Sequence, residues 1–377
     1  MGWDEDPVTG RYVVPGSYPY WREADAYRSR KILNNQEEVP KLPSSLKTGD
    51  DFSGQVVTDV TFRDRDISKI NFSGCTFTDS EFVNCNLDGA SLQGIQGSDL
   101  AITSCSLSGT VMSKAVHPGL TVSRTMLTDA HLQIGLLRRG KWSEVNASKC
   151  IFFRSDLRSS HFSNIAFVDT DFSETILRDV VATDVVFEHS QMPYSDFTGA
   201  RLSRCHFDRS QLGYSNFTGA RFSRCHFDRC DLSFVNFSRT DFEEVTFSRC
   251  KFFGAKFQGT KLSGNVLREL DFSQIVFDDV DFSGAQLQGA NLSGTRWYRS
   301  SLAGANLSGS NLSGASFLLV DASGSNLSHV TGLKIDIQKS DLSNSLVSGA
   351  DFSGGFFYKN EFSGVERTSA KHWPSIR

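Results

Sequence analysis

Three residue types in this 377-residue chain could carry chemistry, and their spacing indicates what kind. Eight cysteines (Cys75, Cys85, Cys105, Cys150, Cys205, Cys225, Cys230 and Cys250) are separated only by multiples of five, and no C-x-x-C occurs. Structural zinc needs closely spaced thiolates or imidazoles, so this spacing speaks for cysteine as a small buried hydrophobe. The pairs 85/105, 205/225 and 230/250 lie twenty apart. If such positions are neighbours a disulfide is within reach, but free thiols in a reducing, cytoplasmic compartment are the expectation. His206 and His226 are also twenty apart, with Asp208 and Asp228 two residues on. Such a ladder could meet a divalent cation, yet nothing encloses the ion, so a solvated face and no metal are expected.

Arginine is the most informative. Arg201 and Arg221, Arg204 and Arg224, and Arg209, Arg229 and Arg249 recur at intervals of twenty. Like charges set one above another repel, so stacking brings no structural gain of its own, although Asp208, Asp228, Glu243 and Glu244 offset part of the repulsion. Either this is a mixed-charge face left by duplication, or it docks an acidic protein. The candidate partner-binding set is Arg201, Arg204, His206, Arg209, Arg221, Arg224, His226, Arg229 and Arg249, with Arg138, Arg139 and Lys141 as a second group. G-x-S-x-G, H-E-x-x-H, phosphate-loop and dinucleotide fingerprints are all absent, so no catalytic residue and no cofactor is expected.

The elements that position these residues follow from a period of five. Large apolar residues fall at 52, 62, 72, 77, 82, 87, 92 and onward to 352, 357 and 362. Of the 31 Phe, 27 share this phase, the exceptions being Phe153, Phe234, Phe253 and Phe356, so the phase is not accidental. Five matches neither the helical period of 3.6 nor the strand period of 2; it requires a backbone that turns a corner every five residues. The segments YSDFTGARLSRCHFDRSQLG (194–213) and YSNFTGARFSRCHFDRCDLS (214–233) add a period of twenty, hence four sides per coil. The reading is all-β: a right-handed quadrilateral parallel β-helix of about sixteen four-sided coils, roughly 75 Å long, each coil pairing with the next. The large residue and the small one two before it point inward; the other three point out. Ser-Gly or Thr-Gly after the large residue supplies the corner, where Gly tolerates positive φ.

Residues 289–293 (GANLS), 304–308 (GANLS) and 349–353 (GADFS) resemble the A-(N/D)-(L/F)-X-X consensus of the pentapeptide-repeat family, over about four-fifths of the chain. The resemblance implies the four-sided β-helix. It also brings in functions found in that family: DNA-mimicking, quinolone-resistance-type proteins that bind type II topoisomerases, and bacterial effectors.

Three regions follow. Residues 1–50, with five prolines and a possible short helix at 21–38, lie outside the repeat and either cap the first coil or extend toward a partner. Residues 51–362 form the repeat and are irregular around 95–150, where Gly97, Met112, His117, Val122, Trp142 and Ala147 take the large-residue phase. His117 is read there as a distorted or partly exposed position and not as a base. The stretch 132–142 is either a distorted coil or an extruded loop with Arg138, Arg139 and Lys141 at its tip. Residues 363–377 are a tail with Trp373 as a plug.

Charge narrows the function. The repeat carries 29 Lys and Arg against 34 Asp and Glu, too dilute to imitate a duplex with about one charge per 1.7 Å. The expectation is therefore a non-catalytic scaffold that docks a protein partner, with topoisomerase (gyrase) inhibition or protection as the alternative. No direct nucleic-acid contact is expected, and a homo-oligomer through the solenoid ends is open. No apolar run is long enough for a membrane span. The acidic N-terminus lacks a signal-peptide core, and Asp6 stands where myristoylation of Gly2 wants Ser or Thr.

Overall fold

The computed structural model describes residues 46–374 and two short strands, Asp4–Glu5 and Tyr12–Val13. The chain divides into two units, Met1–Pro43 and Ser44–Arg377. In the first, the two short strands pair antiparallel. The expected cap or extension in residues 1–50 otherwise falls outside the described residues.

The second unit is a parallel β-solenoid of about fifteen turns, with no helix among the described residues. Every pairing in it joins residues twenty apart: Phe207 to Phe227, Phe227 to Phe247, and single bridges from Asp51–Asn71 to Asp351–Lys371. Each coil therefore has four faces. In the middle of the rod they centre on Leu202, Phe222 and Phe242 (first face), Phe207, Phe227 and Phe247 (second), Leu212, Leu232 and Phe252 (third), and Phe217, Phe237 and Phe257 (fourth). All of these side chains are buried. On the second face the rings stack almost flat, Phe207 on Phe227 at 4.5 Å and 4°, Phe227 on Phe247 at 5.0 Å and 14°.

Each position of the five-residue unit has a physical job. The large residue fills the core. The residue before it, often Asp or Asn, accepts a hydrogen bond from the backbone N–H two residues on, as Asp281 does from Ser283 at 2.9 Å and Asn311 from Ser313 at 3.1 Å. That is a local Asx turn leading into the corner. The small inward residue is Ala, Val, Ser, Thr or Cys. Many of those with a donor give it to a carbonyl of the preceding coil, as Ser155 Oγ does to Leu132 O (2.7 Å) and Cys150 Sγ to Leu127 O (2.8 Å), while others stay within their own coil, as Ser195 Oγ does with Met192 O (2.7 Å). Cysteine thus serves as a small buried donor, and all eight are free and buried. Burial drives the Cys150 thiol up to about 12, the opposite of a reactive nucleophile.

The corner residue, two after the large one, has positive φ almost throughout, glycine or not: Gly304 at 64°, Arg229 at 52°, Tyr214 at 63°. Glycine takes this conformation freely, whereas other residues pay for it with a clash of Cβ against the backbone.

The irregular stretch expected around 95–150 is instead continuous coil. Gln96–Val116, Val116–Leu136 and Leu136–Asp156 bridge in unbroken register, and the strand Lys141–Ser143 pairs with Thr121–Ser123 below and with His161–Ser163 above. Residues 132–142 are not an extruded loop. Unusual side chains there compensate one another. A Cβ on Gly140 would lie 2.5 Å from Trp142 Nε1, so glycine makes room for the indole. His117, expected to be distorted or partly exposed, is fully buried, and its Nε2 reaches Phe77 O, two coils back, at 3.2 Å. It passes Gly97, where any Cβ would collide with that same carbonyl at 1.7 Å. At the far end Trp373 packs on Phe352, Phe357 and Phe362 at 5.2–5.6 Å.

Candidate docking faces

The structure gathers most of the first candidate group on the first and second faces and their corners, but it neutralises much of it. Arg204 makes a bidentate pair with Asp184 (2.7 and 2.8 Å), and Arg224 turns the other way to Glu244 (3.0 Å). At the next corner Arg229 spans Asp208 and Asp228, both at 2.9 Å, Arg249 reaches Asp228 at 2.8 Å, and Arg209 lies 3.8 Å from Asp208. Guanidinium and carboxylate alternate along the rod. The expected basic patch is here an ion-pair ladder, because the Asp of each H-F-D unit sits one residue before its Arg and one coil below the next. The Arg204 hydrogen bond holds the Asp184 carboxyl below the usual range. Partial burial raises Asp228, but Arg249 and Arg229 outweigh it and the net direction is down.

The histidines do not form a cation clamp. The rings of His206 and His226 lie 4.9 Å apart, and His226 Nδ1 meets Thr246 Oγ1 at 2.5 Å. Desolvation, then the neighbouring His206, lowers the His226 pKa. Glu188, His189 and Asp208 do converge, with ligand atoms within 4.8 Å of one another. However, Arg209 Nη1 lies 3.0 Å from His189 Nε2, so the chain supplies its own cation there.

Arg201 and Arg221 differ from the rest. They are exposed, stand in register on the first face, and make no ion pair among the described residues. They border an open groove of about 730 Å³ that runs along the rod from Val181–Thr183 to Ser263–Gly264. Ser203 and Ser223 line it beside them; Asp241 and Glu243 line its other end.

The second group separates. Lys141 lies on the first face and Arg139 at the corner before it, while Arg138 lies on the fourth face in a cluster that sequence reading missed. Arg138 Nε (2.5 Å) and Arg158 Nη2 (2.7 Å) bind Asp156, whose side chain is fully buried. Arg178 continues the column and pairs with Asp196. Burial raises the Asp156 carboxyl, but hydrogen bonds from Arg158 and Arg138 prevail and hold it below its ordinary value. The available signal was an Asp in the Asx position flanked by arginines two residues after it and one coil before. Also missed were Tyr194 and Tyr214, which recur at the start of the duplicated twenty-residue segments.

A family profile described as "Pentapeptide repeat region" matches residues 141–217 and 220–297, and one described as "Pentapeptide repeats (8 copies)" matches 58–94 and 298–331. Together they cover more than half of the chain. No curated protein matches it. Among solved structures the chain is similar to HetL, a pentapeptide repeat protein involved in heterocyst differentiation regulation from Nostoc sp. strain PCC 7120, at 19% identity over 79% of this chain and 91% of that one, TM-score 0.27. Rfr23 from Cyanothece 51142 is 23% identical over 31% of this chain and 89% of its own, TM-score 0.26. Full-length QnrB1, a plasmid-mediated fluoroquinolone resistance protein, is 17% identical over 52% and 93%, TM-score 0.18. No helix among the described residues is long and apolar enough to cross a membrane.

Proposed function

Because the chain belongs to the pentapeptide-repeat family, a family of structural repeat proteins, we propose that it is a non-catalytic rigid scaffold that docks a protein segment in the groove of its first face. The observation that carries this reading is the dipolar lining of the groove: Arg201 and Arg221 without internal partners at one end, Asp241 and Glu243 at the other. An extended segment with an acidic residue followed by a basic one complements that charge order. Unpaired exposed charges steer association and fix register more than they add affinity. The ion-paired ladder at the neighbouring corners supports the same division of labour, since its charges are already engaged within the chain. The mixed charge of these faces also favours a scaffold over a duplex imitator.

A photocrosslinking residue at Ser223 in the full chain, irradiated in the native cell, should give one dominant protein adduct. Arg201→Glu with Arg221→Glu should abolish that adduct and leave melting unchanged, because both side chains lie outside the core. An adduct of undiminished yield would remove the groove from consideration. A gyrase supercoiling assay separates the alternative: the scaffold reading expects no inhibition and no protection.

A further inference from the structure

The corner between the third and fourth faces carries an exposed aromatic ladder. Tyr194, Tyr214 and Phe234 occupy successive coils, their rings stacked at 5.0 Å and 12°, then 4.7 Å and 10°, and Phe253 closes the top edge-on at 5.2 Å. They remain 57, 51, 39 and 67% exposed, respectively. The inner ring faces cover one another, so a sugar or a base has no free face to stack on at Tyr214; what reaches solvent is a ridge of ring edges. Three bulky residues also hold positive φ here (58°, 63° and 59°), a conformation they adopt only at a cost.

Beside the middle rung sits Gly213. Among the described glycines it alone has neither a positive φ nor a close neighbour that would forbid a Cβ, its nearest contact being Ser233 O at 3.5 Å. Nothing inside the chain requires a glycine there. It leaves a notch next to Tyr214.

We propose that this ridge is the contact between two copies of the chain lying antiparallel, related by a two-fold axis that crosses the rod at the Tyr214 coil. Such an axis sets each residue against the same column an equal number of coils away on the other side. Tyr214 then meets Tyr214 and Gly213 meets Gly213. Asp171, two coils below, meets Lys251, two coils above. Lys251 is exposed and makes no ion pair within its own chain among the described residues. Glu174, at the corner beside Asp171, is already paired with Arg154 at 2.7 Å, so the contact between copies rests on Asp171 and Lys251. The charges also fix the register. A slip of one coil in either direction sets Asp171 against Asp231 or against Asp271. A parallel arrangement would bring Lys251 beside Lys256 of the second copy. The groove on the first face lies across the square from the third face, so a dimer of this kind leaves both grooves open.

Sedimentation of the full chain over a broad concentration range should show a reversible dimer. Tyr214→Asp, which suits a positive-φ corner but sets two carboxylates face to face, should weaken it about tenfold or more. Lys251→Asp and Asp171→Lys should each weaken it, and the double exchange should restore it, a recovery that damage to the fold cannot produce. Gly213→Cys, the only exposed thiol among the described residues, should form a disulfide dimer under diamide, while Ser313→Cys at the same column should not. A chain that stays monomeric throughout overturns the proposal. So does a dimer indifferent to Tyr214→Asp and to the exchange, which would place the contact at the solenoid ends.

Discussion

Two regions of one rod solve the same corner problem differently. Between about residues 280 and 325, three of the four corners per coil are glycine: Gly284, Gly289 and Gly294, then Gly304, Gly309 and Gly314. Between about 184 and 250, at least three of the four are charged or aromatic: Arg204, Arg209 and Tyr214 beside Gly219, then Arg224, Arg229, Phe234 and Arg239. The backbone takes the same positive φ in both. Sterics alone therefore do not select the long residues; if anything they select against them. What the middle gains is a surface of ordered columns, ion pairs on two corners and stacked rings on a third, whereas the glycine corners of the other region carry Ser, Asn and Asp turns, and its long residues, Arg299 and Leu319, are confined to the one non-glycine corner. The contrast is the reason the docking faces are proposed for the middle of the rod.

The first way to break this comparison is through the core, where the two regions should behave alike in kind. Phe227 lies between Phe207 and Phe247, so Phe227→Ala should cost about 3–5 kcal/mol. Leu307→Ala in the glycine region should cost about 2–4 kcal/mol, the smaller side chain leaving the smaller cavity. Urea denaturation with hydrogen exchange read around each site is the measurement, because repeat arrays lose structure piecewise. A negligible loss at Phe227 would mean the ring column is not a packed core.

Much of this fold was legible in the sequence. The five-residue phase placed Phe227 inward and the twenty-residue duplication set it under Phe247, both as found. The phase could not show whether a weak centre such as His117 or Gly97 breaks the coil, because the compensation lies one and two coils away in space. Nor did the spacing that stacks arginines say where their side chains turn. Arg204 bends back a coil to Asp184, Arg224 bends forward to Glu244, and only Arg201 and Arg221 are left over.

The second test uses acid. Asp156 is buried, with its carboxyl held below the ordinary value, so the folded state binds protons less readily than the unfolded one. Its contribution is present above the unfolded carboxylate pKa of about 4 and is lost as pH falls through the folded value. Stability should be flat from neutral pH to about pH 5 and decline below about pH 4. Asp156→Ala should cost about 2 kcal/mol at neutral pH, less than for a fully buried pair because both arginines reach water, and should flatten the acid decline around residues 138–178. An unchanged acid profile would show that other carboxylates govern it.

The third test addresses the corner itself. A Cβ on Gly304 would meet nothing within 4 Å, so Gly304→Ala isolates the backbone cost at φ 64°. That cost should be about 1 kcal/mol. A neutral result would remove the steric basis of the contrast between the two regions.

The smallest effect sharpens the contrast most. Arg224 sits at the same kind of corner, φ 54°, with an ion pair to Glu244 in which both side chains are about two-thirds exposed. Arg224→Gly loses a surface ion pair worth under about 1 kcal/mol and relieves a left-handed strain of about the same size. The extra freedom of glycine in the unfolded chain subtracts several tenths more. The balance should lie within about 0.5 kcal/mol of zero, read as an unchanged urea midpoint. Since Arg224 is engaged inside the chain, the Ser223 adduct should also survive, in contrast to its loss on changing Arg201 and Arg221. A destabilisation of about 2 kcal/mol would mean that the ion-pair ladder holds the middle coils together. The long corner residues would then be structural, and the difference between the two regions would mark a stability device and not a docking surface.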